Sequence, residues 1–186
     1  MTVQLGVLAS GRGSNFQAIQ REIEAGTLDA RMALLLSDRP QAPALAIARE
    51  HGIDARALPY DKTDREAFER AAGDALDAAG CEWIVLAGFM RILTPYFIDR
   101  FAGRILNIHP SLLPAFKGLH PQRQALEAGV KFSGCTVHLV TRELDAGPIL
   151  TQAVVPVLPD DTEDTLSARI LAEEHRIYPE AIRLLS

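Results

Sequence analysis

Trp83-Ile84-Val85-Leu86-Ala87 is apolar at every position. A strand with one wet face alternates, so a strand without alternation is covered on both faces. Helices reach both faces of a sheet when they serve as crossovers between parallel strands. The chain around this run has the matching rhythm. Residues 3–9 read as a buried strand, followed by a turn of small residues and helical periodicity over 16–25. A second apolar strand over 31–37 leads to a short helix over 42–51 and a third strand over 53–58. A helix opens near Thr63 and stops at Gly80, and Thr94-Pro95 opens another with proline at its first position. Residues 104–108 are a fifth strand. Ser14 with Gln17, and Thr63 with Glu66, have the spacing of capping boxes. The pattern predicts an α/β fold: a doubly wound, mostly parallel, Rossmann-like sheet with helices on both faces.

Beyond Pro110 the rhythm changes. A loop over 110–119, a short helix over 121–128, strands over 134–141 and 148–157, and a closing helix over 162–185 complete the chain. No internal repeat or low-complexity linker interrupts it, so one domain spanning 1–186 is expected. At 186 residues such a domain buries roughly 70% of its unfolded surface and needs no staples. A net charge of −5 argues against the broad basic surface of a non-specific nucleic-acid binder. An anionic ligand must then be held by local donors. Cys81 and Cys135 match no metal or redox spacing and read as small buried hydrophobes, consistent with a reducing, cytoplasmic compartment. No signal peptide and no membrane-length apolar run is expected.

Four stretches carry candidate chemistry. Gly11-Arg12-Gly13-Ser14-Asn15 sits between a strand and a helix N-terminus, where backbone amides and the helix dipole favour an anion. Phe16 stands where a dinucleotide fingerprint needs glycine, and no Walker pattern is present, which leaves either a single-phosphate site or a tight turn. Gly88-Phe89-Met90-Arg91-Ile92-Leu93 follows the fourth strand, on the side where open α/β sheets bind ligands. Its apolar residues are core or the wall of a heterocycle pocket, and Arg91 could meet a carboxylate. Asn107 and His109 lie two apart in the fifth strand and so share a face. The pair offers an amide donor for an oxyanion and an imidazole for acid–base work. The plainer reading of His109 is a satisfied core histidine. Asp145, in a turn with Gly147-Pro148, could orient an imidazole, although nothing local links it to His109. His138 reads as structural and His120 as a loop residue. A metal site from His109, His120 and Asp145 fits no recognised spacing.

Together, Ser10 to Asn15, Leu86 to Leu93, Leu106-Asn107-Ile108-His109-Pro110-Ser111-Leu112-Leu113-Pro114, and Leu144 to Pro148 resemble the phosphoribosylglycinamide (glycinamide ribonucleotide) formyltransferases. These are a branch of the formyltetrahydrofolate-dependent formyltransferases, and the motifs lie in family order over nearly the whole chain. The resemblance implies the formyltransferase fold, with phosphate binding in about 1–100 and folate binding and catalysis in about 101–186. It implies transfer of a formyl group from 10-formyltetrahydrofolate, as co-substrate, to the amine of glycinamide ribonucleotide in purine (IMP) biosynthesis, without a metal. Carried over by position, Gly13, Ser14 and Asn15 would hold the ribonucleotide phosphate and Glu174 its ribose. Arg65, Met90, Arg91, Ile92, Leu93 and Asn107 would receive the folate, with Arg91 nearest its glutamate tail. Asn107, His109 and Asp145 would be the catalytic trio. A cytoplasmic monomer or homodimer with small-molecule partners is expected, with neither nucleic acid nor membrane among them.

Three rival readings are a formyltetrahydrofolate hydrolase, a non-catalytic nucleotide-binding module, and a formyltransferase acting on tRNA. The charge of −5 and the absence of a basic C-terminal domain disfavour the last.

Overall fold

The computed structural model describes residues 1–185. Its seven strands form one sheet in the order β3-β2-β1-β4-β5-β6-β7. The strands are β1 (Val3–Leu8), β2 (Ala30–Ser37), β3 (Ala55–Ala57), β4 (Trp83–Leu86), β5 (Ile105–His109), β6 (Phe132–Leu139) and β7 (Ile149–Pro156). The first five run parallel, and β6 and β7 close the sheet antiparallel. Five helices connect them, α1 (Ser14–Glu24), α2 (Pro43–Glu50), α3 (Arg65–Ala78), α4 (Pro95–Arg100) and α5 (Pro121–Ala128), and α6 (Glu163–Arg183) follows the last strand. The expected doubly wound α/β architecture is what forms, and its order reverses between β1 and β4.

Strand alternation divides the core in two. Leu5, Val7, Val85, Leu106 and Ile108 pack with Phe16, Ile19, Ile170 and Ile177 of α1 and α6 on one face. Leu8, Leu34, Ile84, Leu86 and Ile105 pack with Phe68, Leu76, Phe97 and Phe101 around α3 and α4 on the other. Gly6 marks how closely α3 approaches: a Cβ there would lie 2.3 Å from Leu76 Cδ2. The edge strand β7 alternates in burial from Ala153 to Pro156.

Both expected capping boxes fail. Gly13, at φ 62°, is the N-cap of α1, and the Gln17 side chain donates back to the Arg12 carbonyl. In α3 the cap is Asp64, whose carboxylate accepts from the Ala67 amide at 3.2 Å. A capping box does form at α6, from Thr162 and Thr165. β6 begins two residues earlier than expected, because Phe132 and Ser133 pair with Pro156 and Val155.

The β4–β5 ladder is short: Ile84 pairs with Ile105 and Val85 with Leu106. Beyond it the strands part. The fully buried Tyr178 of α6 reaches this fork, and its hydroxyl lies 2.8 Å from the Leu86 carbonyl and 3.1 Å from the Leu106 carbonyl. One phenol proton shared between two carbonyls does the work of the missing ladder, since buried carbonyls need a donor. Glu69 of α3 fixes the far end of the loop after β4. Its nearly buried carboxylate accepts from the Thr94 amide at 2.7 Å and from the Thr94 hydroxyl, and so anchors the start of α4. Burial raises the Glu69 pKa while these donors oppose the rise.

Candidate active site

Beyond the fork lies a crevice of about 270 Å³. One wall is the loop after β4, with Phe89, Met90, Arg91, Ile92 and Leu93; the other comes from the end of β6 and the loop to β7, with Val140 to Asp145. Asn107 and His138 lie in its floor and Leu119 at its rim. The lining is mostly apolar with a few polar groups, as small-molecule sites usually are. Thus Met90, Arg91, Ile92, Leu93 and Asn107 all face one space. Arg65 stands beside it, its Nη1 3.5 Å from the Ile92 carbonyl, and has no ion-pair partner among the described residues.

β5 presents Asn107 and His109 on one face, as the period of a strand requires. The Asn107 amide makes no side-chain hydrogen bond among the described residues and is free to meet a ligand. His109 is buried, 6% exposed. Its Nε2 lies 2.8 Å from the Phe116 carbonyl, which can only accept, so Nε2 carries a proton. Its Nδ1 lies 3.6 Å from Asp145 Oδ2, close enough for charge attraction though longer than a hydrogen bond. Both ring nitrogens therefore face acceptors, an arrangement that a ring donating at both positions satisfies. The same Asp145 oxygen accepts from the Gly118 amide at 2.9 Å and ties the loop after β5 to the loop before β7.

Three non-glycine residues among those described have left-handed backbone: Phe116, His120 and Asp145, at φ 55°, 53° and 50°. Two of them touch His109. Strain of this kind persists only where the surroundings impose it, and it collects at functional sites. A polar hub holds the loop. Thr136, opposite His109 in the β5–β6 register, donates to the Ser111 carbonyl at 2.8 Å and accepts from the Leu113 amide at 3.1 Å and from Gln152 Nε2 at 3.0 Å.

His138, read from sequence as structural, lies opposite Asn107 and faces the crevice. Its Nδ1 donates to the Leu139 carbonyl at 3.0 Å, and its buried Nε2 has no partner among the described residues. Burial lowers its pKa and keeps the ring neutral, so Nε2 is an acceptor. Only the antiparallel register of β6 brings it beside Asn107, and that register is not legible in the sequence.

Gly13, Ser14 and Asn15 form the first turn of α1 after β1, with free helix N-terminal amides. Asn15 is 7% exposed, and its Oδ1 has no partner among the described residues. Glu174, in α6, is 8% exposed, and burial alone pushes its pKa up to about 7. No donor or cation meets its carboxylate among the described residues. Its charge is felt at Tyr178 and at Cys135 of β6. The structure thus places Glu174 near the fork and Asn15 at the phosphate-type turn; no hydrogen bond joins them. Cys81 and Cys135 are free and buried, their thiols pushed up to about 11 and about 12 by burial, which leaves them unreactive.

A family model described as formyl transferase matches residues 3–182. The chain belongs to the formyl transferase family. It is 47% identical to phosphoribosylglycinamide formyltransferase of Escherichia coli, covering 93% of this chain and 82% of that protein. It is 45% identical to the trifunctional purine biosynthetic protein adenosine-3 of Drosophila melanogaster, covering 98% of this chain and 14% of that far longer protein. Among solved structures, glycinamide ribonucleotide transformylase 1 from Symbiobacterium toebii superimposes with a TM-score of 0.94 at 52% identity, covering 99% of this chain and 87% of that one. The resemblance first carried by four motifs therefore extends over the whole chain and its fold. Among the described residues no helix is long and apolar enough to cross a membrane.

Proposed function

We propose that this formyl transferase moves the formyl group of 10-formyltetrahydrofolate to the primary amine of glycinamide ribonucleotide, a step of purine (IMP) biosynthesis. The observation that carries the reading is the joining of His109 to Asp145 beside the free amide of Asn107, at the mouth of an apolar crevice. The likeness to relatives named for this reaction supports it. The folate ring occupies the crevice between Met90–Leu93 and the loop before β7, with Arg65 and Arg91 the nearest cations on the β4 side. The ribonucleotide phosphate sits on the amides of Gly13, Ser14 and Asn15. Its ribose hydroxyls donate to Glu174, whose carboxylate lacks a donor of its own.

The amine nitrogen attacks the formyl carbon, and the carbonyl oxygen becomes an oxyanion. Asn107 donates to it. His109 donates through Nε2, exchanging the neutral Phe116 carbonyl for the stronger anionic acceptor. Asp145 balances the charge on the ring. When the carbon–N10 bond breaks, the amine gives up a proton and N10 gains one. No covalent enzyme intermediate is needed. Binding both substrates across one fork converts a bimolecular encounter into an oriented one. The metal-free chemistry, the cytoplasmic setting and the single domain, with phosphate binding in about 1–100 and folate binding in about 101–186, belong to the same proposal.

The test is acceptor dependence. Purified protein with 10-formyltetrahydrofolate should form tetrahydrofolate only when the ribonucleotide is added. Equal rates without the ribonucleotide, with formate released, would instead make the chain a hydrolase.

A further inference from the structure

Asp38 follows β2, and its side chain is fully buried. Its Oδ1 accepts from the Ser10 hydroxyl at 2.7 Å and its Oδ2 from Arg91 Nε at 2.6 Å. Ser10 in turn accepts from the Met90 amide at 2.9 Å, and its own amide donates to the Gly88 carbonyl at 3.2 Å. The ends of β1, β2 and β4 are thereby joined through one carboxylate. The Arg91 guanidinium also lies over the Tyr60 ring, its Cζ 4.0 Å from the centroid. It is about one-third exposed and faces the crevice. Arg39 also approaches Asp38, but at 3.9 Å and from solvent.

We propose that Asp38 sets how strongly the crevice reads negative charge on the folate tail, by holding Arg91 in an internal ion pair. The inference rests on the folate reading given above. Three guanidinium groups stand around the crevice. Arg142 is paired with Asp99 and Arg91 with Asp38, whereas Arg65 has no carboxylate within ion-pair distance among the described residues and feels Glu69 only at longer range. A tail carrying additional carboxylates therefore meets one cation without an ion-pair partner where the sequence offers three. In Asp38→Asn, the Asn oxygen still accepts from Ser10, so the three strand ends stay joined. The side facing Arg91 loses its negative charge. Arg91 remains against Tyr60 at the crevice wall, now with its charge unmasked.

The experiment measures KM for 10-formyltetrahydrofolate carrying one and three γ-linked glutamates, with the ribonucleotide saturating. The readout is the ratio of the one-glutamate KM to the three-glutamate KM. Asp38→Asn should raise this ratio roughly two- to fivefold over the unaltered protein, the scale of a partly exposed charge pair. The rise should vanish in the double variant Asp38→Asn, Arg91→Gln, and should shrink near 1 M salt, where the screening length is about 3 Å. Ser10→Ala loosens the same junction without touching the ion pair and should keep the original ratio. An unchanged ratio in Asp38→Asn, a rise that survives in the double variant, or an equal rise in Ser10→Ala would each overturn the inference. If the unaltered protein transfers formyl from neither donor, the folate reading itself falls. That outcome is distinct from working transfer with an unchanged ratio.

Discussion

The two ends of the site are built on opposite terms. Around His109 a continuous network ties the polar groups to the protein and leaves the neighbouring Asn107 amide open to the crevice: Nε2 meets the Phe116 carbonyl, Nδ1 faces the Asp145 carboxylate at 3.6 Å, Asp145 accepts from the Gly118 amide, and the Thr136 hydroxyl meets three neighbours. Around α1 and α6 the polar groups are buried and unmet. Asn15 Oδ1 lacks a donor, and Glu174 sits in a desolvated position with its pKa near 7. A satisfied network is rigid, and rigidity keeps donors aimed where charge develops. An unsatisfied buried acceptor costs stability until something donates to it. In the proposed function the first end serves the transition state and the second a hydroxyl-bearing ligand.

The largest effect that could break this contrast is on turnover. His109→Ala should lower kcat on the order of 10²-fold or more, judged from the loss of a single oxyanion donor, with KM for the ribonucleotide nearly unchanged. Asp145→Asn keeps an acceptor for Gly118 and removes the charge, and should fall in the same direction. Retained turnover in His109→Ala would return this histidine to the ordinary core.

Glu174 should behave oppositely. Glu174→Gln should raise KM for the ribonucleotide about tenfold, the scale of a hydrogen bond to a charged group, while stabilising the folded chain. The sign follows from the raised folded-state value. The carboxyl favours folding below about pH 4.5, and that contribution is lost as pH rises through about 7. The span from 4.5 to about 7 sets an upper bound of roughly 3 kcal/mol. Denaturant melts should therefore show stability falling between pH 5 and pH 8 in the unaltered protein, and a flatter profile in Glu174→Gln. A variant that binds worse and is also less stable would mean that Glu174 has an internal partner after all.

The smallest effect concerns the fork between the ends. Tyr178→Phe leaves the Leu86 and Leu106 carbonyls without their shared donor and should cost about 1–3 kcal/mol in thermal or denaturant unfolding. Its effect on kcat should stay under about tenfold, because the hydroxyl is fully buried and committed to the two carbonyls. A loss matching that of His109→Ala would place the fork itself in the chemistry.

How much of this could be read from the chain depends on distance in sequence. The all-apolar run at Trp83–Leu86 and the strand–helix rhythm sufficed for the layered sheet, because burial on both faces leaves a local mark. Asn107 and His109 were visible as a pair because strand periodicity is local too. The caps of α1 and α3 were misplaced by a residue, since Gly13 takes left-handed geometry and Asp64 competes with Thr63. Asp145 beside His109, His138 opposite Asn107 and Asp38 on Arg91 depend on strand order and antiparallel register. No short window of residues encodes these. Resemblance to a family supplied the first of the three, and the folded chain supplied the other two.

The most direct measurement follows the formyl carbon. Donor labelled with carbon-13 at the formyl group is mixed with protein and ribonucleotide and observed by NMR. The account expects the label to move to the ribonucleotide amine, with neither formate nor a labelled protein adduct accumulating, and to stay on the donor when the ribonucleotide is left out. Label appearing as formate at an equal rate without ribonucleotide, or held covalently on the protein, would contradict it.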